Sequence, residues 1–329
     1  MGKRVKVVNQ EANELQMTPL MKLLKNIHEV SSAGDSVNLE DIKKQRASQD
    51  RLASITTLSK DIEVQELSIR GIPAEWVIPQ FKHDTDRIIL YCHGGGYTCG
   101  SLKYARIIAS KLAIHCGMAV MSFEYALAPE HPYPAAIEDA LVIWNYIMQL
   151  GFGSREVIVV GDSAGGNLAL ELLLKLKAQK RMMPKGLVLM SPWTDMTMSG
   201  DTYETCKDVD PMLSREYIQT CRYSFIGLNE KYNEDEKVVK IDEANIDYAN
   251  PDFSPLFAGL DGFPPTLIQV GSNEVLKADS TRLYEELLNV GVLTLLEEYE
   301  DAWHVFQMMP IRKSVLAMES VSRFIGALY

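Results

Sequence analysis

The sequence predicts an α/β fold: a mostly parallel central sheet with helices on both faces and a helical cap. Three observations carry this. From Ile88 onward, short and wholly apolar runs alternate with amphipathic stretches, the pattern of parallel strands covered on both sides. The pentapeptide Gly161-Asp162-Ser163-Ala164-Gly165 lies between the apolar run Val157–Val160 and the helical stretch Leu168–Leu176. This is a strand, a tight turn and a helix with a serine at the apex. His93-Gly94-Gly95-Gly96 follows a second apolar run, Ile88–Tyr91.

The elements read in order as follows. Met17–Val30 and Leu39–Leu58 have helical spacing of apolar residues and are separated by the polar turn Ser31-Ser32-Ala33-Gly34-Asp35. Ile62–Ile69 and Ala74–Ile78 read as strands joined by a turn at Gly71-Ile72-Pro73, the antiparallel start of the sheet. Strands at Ile88–Cys92, Met118–Phe123, Val157–Val160 and Gly186–Met190 then alternate with helices at Leu102–Cys116, Ala135–Leu150 and Ser163–Arg181. The alternation breaks between Trp193 and Phe253, where Asp210–Phe225 has helical spacing and Asn229–Asp247 is dense in charge, as a solvated surface would be. It resumes with strand Thr266–Val270, helix Ser280–Val290, strand Leu293–Tyr299 and a closing helix near Ile311–Leu328. The expected organisation is N-terminal helices over 1–60, a first core part over 61–192, a cap insertion over 193–253 and a second core part over 254–329.

The motifs carry the chemistry. A G-x-S-x-G turn forces Ser163 into strained backbone geometry and lifts its hydroxyl above the sheet. The glycines after His93 let bare backbone N–H groups approach a developing negative charge. This run lacks the Lys-Ser/Thr ending of a phosphate-binding loop and the spacing of a dinucleotide fingerprint. Together with Tyr125–Ala136 (YALAPEHPYPAA), the segments His93–Tyr97 (HGGGY) and Gly161–Gly166 (GDSAGG) resemble, in the same order, the bacterial hormone-sensitive-lipase-like (family IV) esterases of the α/β-hydrolase superfamily. The resemblance runs from about Ile88 to the C-terminus. One departure is Ala126, where such proteins usually carry Arg. The likeness implies an α/β-hydrolase fold, N-terminal helices that share in the cap, an oxyanion hole from the N–H groups of Gly95, Gly96 and Ala164, and short acyl esters as substrates. It also implies dimers paired along the sheet edge near Leu293–Tyr299.

A serine hydroxyl needs a base at neutral pH. Of the six histidines, His304 alone follows the serine turn, and this fold orders its residues serine, acid, histidine. It sits between the last strand and the last helix, and is the expected base. Its action should fade as pH drops through the histidine range, about 6.5 if unperturbed. The acid must follow Thr266–Val270, where Glu274, Asp279 and Asp301 are the candidates. Glu274, two residues before Leu276, resembles the family's acid loop. Asp279 reads more simply as a helix N-cap or dipole partner, and Asp301 shares a turn with His304. Asp162 is expected to support the serine turn, and Glu138 and Asp139 to form structural ion pairs. Asp195 is a candidate for the pocket wall. Met17, Met21, Met212 and Tyr217 either line an acyl site or pack the cap.

A chain of 329 residues with 47% hydrophobic content suffices for one large core. Its net charge of −11 argues against nucleic acid or an anionic membrane as partner. No run reaches membrane-spanning length, and no metal-ligand spacing or cofactor fingerprint appears. Gly2 lacks the Ser or Thr that a myristoylation signal needs four residues on. Five cysteines without a C-x-x-C pair, behind a basic N-terminus with no apolar segment, lead to the expectation of a cytoplasmic protein with reduced thiols. Cys92 and Cys99, which flank the glycine run, read as small buried hydrophobes. The residues do not separate ester from amide hydrolysis. A non-catalytic small-molecule receptor on the same fold is a further alternative, and plant hormone receptors resembling this family lack the base that His304 supplies here.

Overall fold

The computed structural model describes residues 6–8, 21–22, 36–55, 59–227, 238–240 and 246–329. Most of the expected helix 17–30 and of the charged stretch 229–247, and Met17, lie outside them. The strands are β1 Lys6–Val8, β2 Ser36–Asn38, β3 Ile62–Ile69, β4 Ile72–Pro79, β5 Asp84–Cys92, β6 Met118–Phe123, β7 Val157–Asp162, β8 Gly186–Met190, β9 Val238–Lys240, β10 Thr266–Gly271 and β11 Thr294–Tyr299. The helices are α1 Leu39–Ile55, α2 Leu102–Cys116, α3 Ala135–Gln149, α4 Ala164–Ala178, α5 Thr202–Thr205, α6 Arg215–Ile226, α7 Lys277–Asn289 and α8 Arg312–Gly326.

Among the described residues, nine strands form one sheet in the order β1-β11-β10-β8-β7-β5-β6-β4-β3. It is parallel from β1 to β6 and antiparallel where β4 joins β6 and β3. Alternate side chains feed two cores. Ile88, Leu90 and Cys92 of β5 join Val157 and Val159 of β7 beneath α3, α4 and α7, while Ile89, Tyr91, Ile158 and Val160 face α2 and α8. Every residue of β7 and β8 is buried. At roughly 1.5–3 kcal/mol for each large apolar side chain removed from water, these layers fix the sheet. The fold class read from the sequence is therefore the observed one.

Several details differ from the sequence reading. The helix expected from Asp210 starts at Arg215, because Pro211 breaks the run and Ser214 caps it, its side chain accepting from Tyr217 N. The helix expected from Ser280 starts at Lys277, which makes Asp279 part of its first turn rather than its cap. Strand Leu293–Tyr299 is not the outermost, since Lys6–Val8 pairs in parallel with Glu297–Tyr299. In a separate two-stranded sheet, β2 pairs antiparallel with β9 and so joins the N-terminal segment to the 193–253 stretch.

Candidate active site

Ser163 sits at φ 53°, ψ −122°, between the end of β7 and the start of α4. Such a conformation costs on the order of 1–3 kcal/mol and persists only where its surroundings enforce it. Here backbone bonds do so. Ser163 N donates to Met190 O at 2.9 Å, while Ser163 O accepts from Gly166 N at 3.0 Å and Trp193 N at 3.1 Å. The flanking glycines are sterically required. A Cβ on Gly161 would lie 2.2 Å from Gly165 O, and one on Gly165 would lie 2.1 Å from Cys92 O.

The loop after β5 is held by the same turn. Asp162 Oδ1 accepts from Gly94 N at 2.9 Å and from the Tyr91 hydroxyl at 2.6 Å. Asp162 thus supports the serine turn as expected, and burial pushes its carboxyl up to about 6. His93 is a structural residue of this loop. Its Nδ1 lies 2.7 Å from Gly94 O, its ring stacks on Tyr125, and the Tyr125 hydroxyl donates to its carbonyl. Burial pushes its imidazole down to about 4. Gly95 and Gly96 have φ of 121° and 63°, values suited to residues without a Cβ. No backbone carbonyl among the described residues accepts from Gly95 N, Gly96 N or Ala164 N. Ala164 N is also one of the unpaired donors of the first turn of α4.

His304 arrives from the loop after β11, and its Nε2 lies 2.9 Å from Ser163 Oγ. It is 5% exposed, and burial pushes it down to about 3, well below an ordinary histidine. Glu274, from the loop after β10, is fully buried, and its Oε2 lies 3.8 Å from His304 Nδ1. That exceeds a hydrogen bond, a common condition in sites without substrate. Burial, then the charge of Asp210, raises the Glu274 carboxyl well above the usual range.

The other acid candidates are engaged elsewhere. Asp279 Oδ2 accepts from Thr194 N at 2.8 Å and Asp195 N at 2.9 Å, so it braces the segment after β8. Asp301 is exposed at the turn and its N–H donates to Ser272 Oγ. Asp195 is buried and fully occupied by Thr197, Ser199 and Arg282, so it does not serve as a pocket wall. Asp139 accepts from Ala126 N at 2.8 Å, a backbone bond where an ion pair was expected.

Helix α6 lies directly over the glycine loop. A Cβ on Gly96 would meet Cys221 Sγ at 2.4 Å and the Tyr217 hydroxyl at 3.3 Å, and Tyr97 stacks on Phe225 at 3.8 Å. Met21 and Met212 pack with Trp303 and Phe306, on either side of His304 in sequence. Cys92, Cys99 and Cys221 are buried free thiols, and burial pushes Cys99 up to about 11 and Cys221 up to about 12. No group of three or more metal-ligating side chains occurs among the described residues, and no helix there is long and apolar enough to cross a membrane.

Sequence reasoning passed over Ser191. Its Oγ donates to Glu274 Oε2 at 2.8 Å and accepts from Val305 N at 3.1 Å. The available signal was its place at the carboxyl end of a central strand, where sites of such sheets assemble.

A sequence profile of the alpha/beta hydrolase fold matches residues 89–308, from β5 through the loop that carries His304. The chain belongs to the α/β-hydrolase family. Within this family it is similar to an esterase of Acinetobacter venetianus, 34% identical over 82% of this chain and 84% of that protein. It is likewise similar to an acetyl-hydrolase of Streptomyces hygroscopicus, 34% identical over 71% of this chain and 72% of the other. Among solved structures, an esterase of the bacterial hormone-sensitive lipase family superposes with a TM-score of 0.80 at 29% identity, covering 94% of this chain and 98% of that one. The esterase EstE5, soaked with p-nitrophenyl butyrate, superposes with a TM-score of 0.81 at 31% identity, covering 94% and 99%. These α/β-hydrolases place the chain in the hormone-sensitive-lipase-like branch that its motifs resemble.

Proposed function

We propose that this α/β-hydrolase cleaves short-chain acyl esters through Ser163, His304 and Glu274, by way of an acyl-enzyme. By its family the protein is a serine carboxylesterase. The observation that carries the finer reading is the 2.9 Å contact between His304 Nε2 and the strained Ser163 hydroxyl. In this mechanism Nε2 takes the Ser163 proton as Oγ attacks the ester carbonyl carbon. The carbonyl oxygen becomes an anion facing the N–H groups of Gly95, Gly96 and Ala164, each such donor being worth on the order of 3 kcal/mol in the transition state. His304 returns its proton to the leaving alcohol. Water, deprotonated by the same imidazole, then releases the carboxylic acid and regenerates Ser163. Glu274 orients the imidazole and offsets its transient charge.

The short-chain preference is supported by the acetyl-hydrolase relative and by the butyrate ester soaked into EstE5. The wall that α6 sets against Gly96 fits a compact acyl site. Pairing of two copies is also part of this reading, with β1 rather than β11 on the outer edge of the sheet. The direct test is hydrolysis of p-nitrophenyl esters of rising chain length, with fluorophosphonate labelling of the purified protein. Acetate to hexanoate esters should turn over fastest, and the label should fall on Ser163. An unlabelled, inactive protein would favour the receptor alternative, and preferential cleavage of anilides would favour an amidase.

The pH dependence follows from the buried pair. The working state is a neutral imidazole beside an ionised carboxylate. Burial lowers the His304 imidazole and, with the charge of Asp210, raises the Glu274 carboxyl, so acidification adds a proton to the pair. Activity should therefore fall as pH drops and the pair takes up that proton, at a pH set by the buried pair rather than by an ordinary histidine. Glu274→Gln, uncharged at every pH, should lower kcat by on the order of 10⁴-fold and flatten the acidic limb of kcat/KM. A limb of unchanged position in this variant would assign the titration to another group.

A further inference from the structure

We propose that Ser191 is a positioning residue for the acid–base pair: its hydroxyl holds Glu274 Oε2 in place and, through Val305 N–H, fixes the loop that carries His304. This rests on the triad reading above and deepens it. Ser191 is fully buried at the end of β8, one strand from the nucleophile strand β7. Its Oγ receives the Val305 N–H at 3.1 Å, which leaves its own proton for Glu274 Oε2 at 2.8 Å. One oxygen therefore spans the acid loop after β10 and the histidine loop after β11. The carboxylate oxygen it holds is the one that faces His304 Nδ1 at 3.8 Å.

The backbone argues for the same role. Ser191 and Val305 have φ of 49° each, although neither is glycine. For a β-branched residue such as Val305 this is an outlier, and conformations of this kind persist where neighbours over-determine them, typically at functional sites. The Ser191–Val305 bond joins the two strained residues directly. Ser191 is itself tied to the sheet, its N–H donating to Gln269 O at 2.8 Å.

Glu274 faces Asp210 from the segment before α6, Asp279 from α7, the Cys206 thiol at the end of α5, and His304. Against two carboxylates, the Ser191 hydroxyl is a donor that favours the ionised acid. Its loss makes the pair easier to protonate, so the acidic limb of kcat/KM moves to higher pH.

The test is a double-mutant cycle on the full chain with p-nitrophenyl acetate. Ser191→Ala should lower kcat by about 10- to 100-fold, as expected for a lost hydrogen bond to a charged group. KM should change by less than about twofold, and the acidic limb should shift upward. In the Glu274→Gln background, where there is no carboxylate to keep ionised and only the tie to Val305 N–H is lost, the same substitution should lower kcat by a clearly smaller factor. Ser191→Gly also lacks the hydroxyl but relieves the positive φ. It should reproduce the kinetic change without loss of thermal stability, which keeps the test open if Ser191→Ala folds poorly. Equal losses in both backgrounds, or a Ser191→Ala enzyme with wild-type kcat and limb, would overturn the proposal. An unmodified chain that neither hydrolyses the ester nor takes up fluorophosphonate would instead overturn the triad reading.

Discussion

Replacing Ser163 by glycine should give a protein that is more stable and without activity. The residue lies at φ 53°, ψ −122°, its N–H bonded to Met190 O and its carbonyl accepting from Gly166 N and Trp193 N. Strain of this kind costs on the order of 1–3 kcal/mol. Glycine removes most of that cost and gives back up to about 1 kcal/mol in unfolded-chain entropy, leaving a net gain of about 1 kcal/mol and a melting temperature higher by about 2 °C. Loss of the nucleophile should reduce kcat by on the order of 10⁶-fold. Ser163→Ala is the informative partner. It is equally inactive but keeps a Cβ at positive φ, so its melting temperature should stay near that of the parent chain. If the two variants melt together, the turn is not strained.

The second large effect is on folding. Gly165→Ala places a methyl group 2.1 Å from Cys92 O and 2.4 Å from His93 O. These are backbone atoms at the end of β5 and the start of the glycine loop, and no side-chain rotation relieves the clash. Helix α4 must lift from the sheet, at a cost of about 3 kcal/mol or more. Chemical denaturation should show this as a lower midpoint with a similar slope, together with lower soluble yield. Gly326→Ala is the control. It lies at the end of α8 with nothing within 4 Å of the added atom, and its effect should be neutral or slightly stabilising. A Gly165→Ala protein as stable as the control would mean that the strand and helix are not in such close contact.

Much of the fold was legible because its strands are short, wholly apolar and regularly spaced. Burial on two faces leaves a continuous hydrophobic run that no surface element would carry. Ser163 was recognisable from a local turn at a strand end, and His304, 141 residues on, as the one histidine that follows it in the chain. The unread parts depend on partners distant in sequence. Lys6–Val8 and Ser36–Asn38 are three-residue strands, too short to show a period, and their place is set by Glu297–Tyr299 and Val238–Lys240. Asp279 was read as a cap or dipole partner of its helix; it lies in the first turn, but its Oδ2 accepts from Thr194 N and Asp195 N of another element. Ser191 carried only its place after a central strand, and a serine hydroxyl there gains its meaning when two later loops converge on it.

The carboxylate of Asp162 has a consequence for how this scaffold can change. A single oxygen grips the Gly94 amide and the Tyr91 phenol, while its own backbone leads straight into Ser163. Ser163 and the glycine loop therefore share one anchor and cannot be adjusted separately. Under the proposed chemistry, new specificities on this framework are more readily obtained by reshaping α6, which packs on the glycine loop through side chains alone, than by moving Ser163 or the loop itself.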